Sequence, residues 1–264
     1  MRLHSNWETK TYKYSAFSLF NQDEFIFDGN GFEINGDDKV VHLLTIHNCR
    51  NCTVKNINFI NGNTEALKHI QRKEIPYRKG KCSIFEILDG GAVVITGRSS
   101  VRFENCRFLS NKSIMCGGAV SNQSDGIVSF QDCYFENNIA GHTGSAIDNL
   151  TINSKIVVDK CEFNNNKSNL WHKFGFPHGQ ISIFPHTEAE IKNSRFKHGS
   201  MPFDYYKASK VTFTSNVYKD YSDWNEKNPT TRDISIVKDT AQILRKMRWV
   251  ISKTLGKVYY KVNP

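Results

Sequence analysis

An eight-residue block recurs six times along this chain, each copy closing on an aromatic residue. The copies end as VKNINF at Phe59, VRFENCRF at Phe108, VSFQDCYF at Phe135, IVVDKCEF at Phe163, AEIKNSRF at Phe196 and VTFTSNVY at Tyr218. A second short apolar run precedes the blocks at a nearly constant distance: Leu43–Ile46, Ala92–Ile95, Ala119-Val120, Ala146-Ile147 and Ile181–Phe184. A unit this small cannot bury its own apolar face, so a chain built from it must stack unit on unit. The period falls between 22 and 33 residues from Phe108 onward, while Phe59 to Phe108 spans 49, which is two turns or one turn with a large insertion.

Inside the block, Val101 and Phe103, then Cys106 and Phe108, alternate with polar residues as a half-buried strand does. The units are too short, and too rich in Asn and Gly, to carry the crossover helices of a doubly wound sheet. The expected fold is therefore all-β: a right-handed parallel β-helix, a solenoid of strand, turn, strand, turn. Asn111, Asn138 and Asn166 follow the aromatic, with Gly62 and Gly199 in other copies. Those two residue types point to a left-handed turn, and stacked Asn side chains can bond along the column. Cys106, Cys133 and Cys161 share a core column with Ile57, Ser194 and Asn216. Gly90–Val93, Gly117–Val120 and Gly144–Ile147 each read as a tight bend into a strand.

FDGNGFEING (27–36), NCTVKNINFINGN (51–63) and the paired GGAV units resemble right-handed parallel β-helix proteins of the pectin-lyase-like fold. Within that fold the chain is similar to archaeal adhesin-like proteins and to the repeats of polymorphic outer-membrane proteins, over roughly residues 20 to 220. The resemblance implies a cell-surface or extracellular place and a polysaccharide or host cell-surface glycan as partner. It does not choose between binding and catalysis, because the fold hosts lyases, hydrolases and non-catalytic adhesins.

The polygalacturonase-type motifs N-T-D and G-H-G are absent, and Gly141-His142-Thr143-Gly144 is only a partial likeness. Hydrolases need carboxylates set around the scissile bond. Asp89, Asp125 and Asp148 are acidic residues on neighbouring coils, but they fall at different places in the repeat. Asp148 alone follows a core strand and is the single catalytic candidate. The scattering of polar residues over a regular repeat favours a non-catalytic, adhesin-like binding module, with a polysaccharide lyase or glycoside hydrolase as the alternative.

Three segments depart from the repeat. Residues 64–82 form a basic insertion, a solvated projection or a patch for a polyanion. Residues 169–180 lengthen one turn and carry Trp171, His172, Phe174, Phe176 and His178. That loop either folds back over the solenoid's flank or offers these five residues to a sugar ring, and they are the first choice for a ligand contact. The chain then divides into the β-helix, 1–231, and a basic extension, 232–264, where eight Lys/Arg face two Asp out of a whole-chain net charge of +9. Ser235–Gly256 reads as an amphipathic helix that caps the last coil or lies on an anionic membrane surface.

The positive charge is not interleaved with a stacking or groove-reading motif, so no nucleic acid is expected. Cys49 and Cys52 make a lone C-x-x-C, half of a zinc site, and neither metal nor cofactor is expected. Residues 1–20 hold no apolar signal core and no run is long enough to span a bilayer; for an exported class this leaves three expectations, a chain without its export segment, a fragment of a longer product, or a protein that works inside the cell. Five N-x-S/T sequons begin at Asn51, Asn111, Asn122, Asn149 and Asn166; a glycan at Asn111 or Asn166 would compete with the turn column.

Overall fold

The computed structural model describes residues 1–70, 88–168, 179–206, 208–221 and 231–232. They form a parallel β-helix of three sheets, every strand pair parallel. Sheet I runs through Lys13–Phe20, Val40–His47, Val93–Gly97, Val120–Ser124, Ile147–Asn149, Gly179–Ile183 and Met201–Tyr206. Sheet II collects Ile26–Asp28, Cys52–Lys55, Val101–Glu104, Ile127–Gln131, Lys155–Asp159, Glu188–Lys192 and Lys210–Thr214. Sheet III holds the strands around Ile34, Phe59, Phe108, Phe135, Phe163, Phe196 and Tyr218. Phe59 pairs directly with Phe108, so the long interval is a single coil with an insertion.

Each coil has three strands where the sequence pattern suggests two. The eight-residue block is bent in its middle: Asn56, Asn105, Asp132, Lys160, Asn193 and Ser215 all take φ between 49° and 56°. One left-handed residue turns the chain from sheet II to sheet III, which is why the apolar spacing jumps from two to three between Phe103 and Cys106. Asn and Asp accept this conformation at little cost; Lys160 and Ser215 take it in register with the Asn and Asp of neighbouring coils.

The Cys column lies just past this corner, fully inside. Cys106 Sγ donates to the carbonyl oxygens of Val54 and Glu104, Cys133 to Phe103 and Gln131, and Cys161 to Phe130 and Asp159. Ser194 Oγ does the same to Lys192, and Asn216 Nδ2 to Ile191. The column is thus a set of short donors for corner carbonyls, which explains why Cys, Ser and Asn interchange in it.

The closing aromatics stack along the axis. Ring centroids are 5.2 Å apart for Phe59–Phe108, 4.6 Å for Phe108–Phe135, and 4.8 Å for both Phe135–Phe163 and Phe163–Phe196. Phe103 and Phe130 stack in a second column at 5.1 Å. Each such buried ring contributes about 1.5–3 kcal/mol by removal from water, and each stacked pair about 0.5–1.5 kcal/mol more.

The Asn column does bond coil to coil, but its residues are not the left-handed ones. That conformation falls one position earlier, at Asn61, Ser110, Asn137 and Asn165. The kink turns Asn111, Asn138 and Asn166 inward, where all three are fully buried. Asn138 Oδ1 accepts both the backbone N–H and the Nδ2 of Asn111, and Asn138 repeats the arrangement on Asn166. Their Nδ2 atoms also reach back to the carbonyls of Phe59, Phe108 and Phe135.

Sheet II strands alternate buried and half-exposed residues, as in Lys155–Asp159 and Glu188–Lys192. Sheet I is different: Val40–His47, Val93–Gly97 and Gly179–Ile183 are buried along nearly their whole length, on both faces. The turns leading into sheet I bend at Gly90, Gly117 and Gly144, all at positive φ, and deliver Ala92, Ala119 and Ala146 into the interior. Of the basic insertion, Thr64–His69 is a 3-10 helix capped by Asn63, whose Oδ1 accepts the Glu65 N–H. The rest of that insertion, 71–82, lies outside the described residues, as does the expected helix over 235–256. Among the described residues no helix is long and apolar enough to cross a membrane.

Candidate functional site

Asp148 stands in register with Ser121, Ser182 and Asp204 on the outer face of sheet I. An outward residue on a solenoid is ordinarily solvated, yet all four are buried. The turn before Val120 lies over Asp148 so closely that a Cβ on Gly117 would come within 2.0 Å of its Oδ1. Ser121 Oγ donates to Asp148 Oδ2 at 3.3 Å, while Oδ1 has no hydrogen-bond partner among the described residues. Two coils on, Ser182 Oγ and the Gly179 N–H hold the Asp204 carboxylate at 2.9 Å each.

Asp89 belongs to the same buried layer. Its Oδ1 accepts the Cys116 N–H at 2.8 Å, and Gln123 Nε2 approaches its Oδ2 at 3.5 Å. Cys116 Sγ lies 3.3 Å from His142 Nδ1 and accepts from Thr143 Oγ1 at 3.6 Å. Burial pushes the Asp148 carboxyl well above the usual range, and the neighbouring charge of Asp89 pushes it further. Burial does the same to Asp89, against the pull of the Cys116 N–H. Burial, and then the charges of both carboxyl groups, push the Cys116 thiol up, away from the thiolate.

Aligning the glycine turns was the signal for this cluster. Asp89 precedes Gly90-Gly91 as Cys116 precedes Gly117-Gly118 and Thr143 precedes Gly144. The structure therefore brings Asp89 beside Asp148, although both are closed off from solvent.

Asp125 goes elsewhere. It is exposed, in an open groove of about 690 Å³ at the corner between sheets I and II. The groove crosses five coils, lined in order by Asn21 and Asp23, Asn48 and Arg50, Gly97 and Arg98, Gln123 and Asp125, and Thr151. Arg50 clasps Asp23 through Nε at 3.1 Å and a terminal nitrogen at 2.7 Å. That guanidinium holds the Asp23 carboxyl below its ordinary value. Asn48 donates to Asn21 Oδ1 at 3.3 Å and accepts the Arg98 N–H at 3.1 Å. Gly97 has φ 69°, and a Cβ there would lie 2.2 Å from Asn48 Oδ1, so only glycine leaves this floor open. Arg98 and Asp125, on adjacent coils, enter no ion pair among the described residues. Gln123 forms the wall between the groove and the buried acids.

Trp171, His172, Phe174, Phe176 and His178 lie outside the described residues. Cys49 and Cys52 are buried, their thiols turned to the carbonyls of His47, Gln22 and Arg50. Among the described residues no three His, Cys, Asp or Glu side chains are grouped so as to hold a metal. No protein-family model and no curated protein matches the chain.

Proposed function

We propose that this β-helix is a non-catalytic binding module of the adhesin-like, cell-surface kind, and that it holds an extended glycan in the groove between sheets I and II. The observation that carries the reading is a separation of roles. The acids with raised proton affinity, Asp89 and Asp148, are sealed inside, whereas Asp23 in the groove has its charge fixed by Arg50. A general acid needs both a raised pKa and reach of the leaving oxygen, and among the described residues none combines the two. What the groove offers instead is a row of amide, guanidinium, carboxylate and hydroxyl groups on successive coils, matched in character to a hydroxyl-rich chain lying along the axis. The likeness of the repeats to pectin-lyase-like and adhesin-like proteins supports the same class of ligand.

The test is titration of the full chain with a panel of neutral and uronic-acid polysaccharides, comparing wild type with Arg98→Ala. The reading expects retention of at least one glycan and a loss of about tenfold or more in the variant, roughly 1.4 kcal/mol. Equal binding by both proteins, or none by either, removes the groove as the site.

The second reading, a lyase or glycoside hydrolase of this fold, draws on the position of Asp89 and Asp148 directly behind Gln123. A depolymerisation assay on pectic and uronic-acid polymers, with and without calcium, separates the two. Activity that disappears in Asp148→Asn decides for the enzyme.

A further inference from the structure

The five sequons differ in the access the fold leaves to their asparagine side chains. N-glycosylation takes place at the asparagine Nδ2, so an acceptor needs that atom exposed and uncommitted. Asn111 gives its Nδ2 to Phe59 O at 3.0 Å and Asn138 Oδ1 at 3.0 Å. Asn166 gives its own to Phe135 O at 3.0 Å and Gln180 Oε1 at 2.7 Å. Asn122 Nδ2 donates to Asn149 Oδ1 at 2.7 Å, and Asn149 Nδ2 to Glu188 O at 3.3 Å. All four residues are fully buried.

Asn51 is the exception. It is exposed, in a left-handed turn at φ 53°. Its backbone N–H is held by Ser100 Oγ at 2.9 Å, and its side chain makes no hydrogen bond among the described residues. Thr53, the hydroxyl residue of this sequon, is only partly buried, and its hydroxyl is likewise uncommitted among the described residues. We infer that Asn51 is the single N-glycan acceptor of the folded protein and that the other four sequons are closed by the fold. The sugar would attach next to Arg50, at the rim of the groove. The inference is independent of what the groove binds.

The experiment treats the purified full chain with a soluble N-glycosyltransferase and its nucleotide-sugar donor. In that reaction a bond forms between Asn Nδ2 and the sugar C1, the C1–O bond to the diphosphate breaks, the nucleoside diphosphate leaves, and the amide proton passes to solvent. Peptide mapping by mass spectrometry is run on the native chain, on the urea-unfolded chain and on a synthetic peptide covering residues 47–57. The native chain should gain one sugar, on Asn51, and none in Asn51→Gln or Thr53→Ala, while the unfolded chain gains sugar on further sequons. Sugar on Asn111, Asn122, Asn149 or Asn166 of the native chain overturns the inference. So does a native Asn51 that stays bare when the peptide is modified.

Discussion

Asn138 donates its side-chain amide to Asn166 Oδ1 at 2.8 Å, and its own Oδ1 takes two hydrogen bonds from Asn111. One buried side chain therefore ties three coils together. Asn138→Ala leaves the Asn111 N–H and one Nδ2 proton without their acceptor in the interior and strips the Phe108 carbonyl of its side-chain donor. The expected cost is about 3 kcal/mol, set by the desolvation of orphaned buried groups. Chemical denaturation of the variant measures it. Asn138→Asp, which keeps the acceptor and loses the donor, should be destabilised at neutral pH as well.

Phe135 sits mid-stack, with Phe108 at 4.6 Å on one side and Phe163 at 4.8 Å on the other. Phe135→Ala opens a cavity in the dry axis and should cost about 3–5 kcal/mol. Tyr218 is the last ring of the same stack among the described residues and is only partly buried. Tyr218→Ala should cost clearly less, and the ordering of the two midpoints in urea is the check.

The thiols give a chemical test. Cys106, Cys133 and Cys161 are buried and donate to corner carbonyls. In native buffer they should react with a thiol reagent only as fast as the chain opens, and in denaturant at once. Cys133→Ser keeps a donor in a column where Ser stands two coils on, at Ser194, and should cost about 1 kcal/mol, less than Cys133→Ala, which removes the side-chain donor to the Phe103 and Gln131 carbonyls.

The buried acids set a pH dependence of unusual sign. Asp89 and Asp148 have folded pKa values above the unfolded value of 3.8. The native state therefore binds more protons than the unfolded chain over that interval. Their contribution is complete below pH 3.8 and is lost as pH rises through the folded values, by about 1.4 kcal/mol per pH unit for each proton. Ser121 donates to Asp148, the Cys116 N–H and Gln123 to Asp89, Ser182 stands beside Asp148 on the next coil, and the Cys116 thiol, itself pushed up by burial, lies against His142. Asp148→Asn, neutral at every pH, should flatten the slope of stability against pH above 4. Exposed carboxylates such as Asp23 and Glu190 are shifted the opposite way, but solvent screens them.

The stacking direction, the aromatic column and the Cys column were legible in the sequence because each repeats on every coil. The third strand was not. Its corner is marked by a backbone angle rather than a residue type, and Lys160 and Ser215 adopt that angle without being turn residues. The Asn ladder was placed in the right column with the wrong conformation, since the left-handed residue stands one position earlier. Asp89 is in phase with Cys116 and Thr143 at the head of its glycine turn, but Asp148 follows a strand, so the approach of the two acids comes from the way each turn folds over sheet I. The groove was invisible for another reason: Asn21, Arg98 and Asp125 occupy turns, where no periodicity links one coil to the next.

In-register stacking of the coils carries everything above, and nuclear Overhauser contacts between ring protons test it most directly. With phenylalanine rings selectively labelled, Phe135 should show cross-peaks to both Phe108 and Phe163, whose centroids lie within 5 Å of its own. Cross-peaks from Phe135 to sequence neighbours alone, with none to either ring, would contradict the β-helix itself.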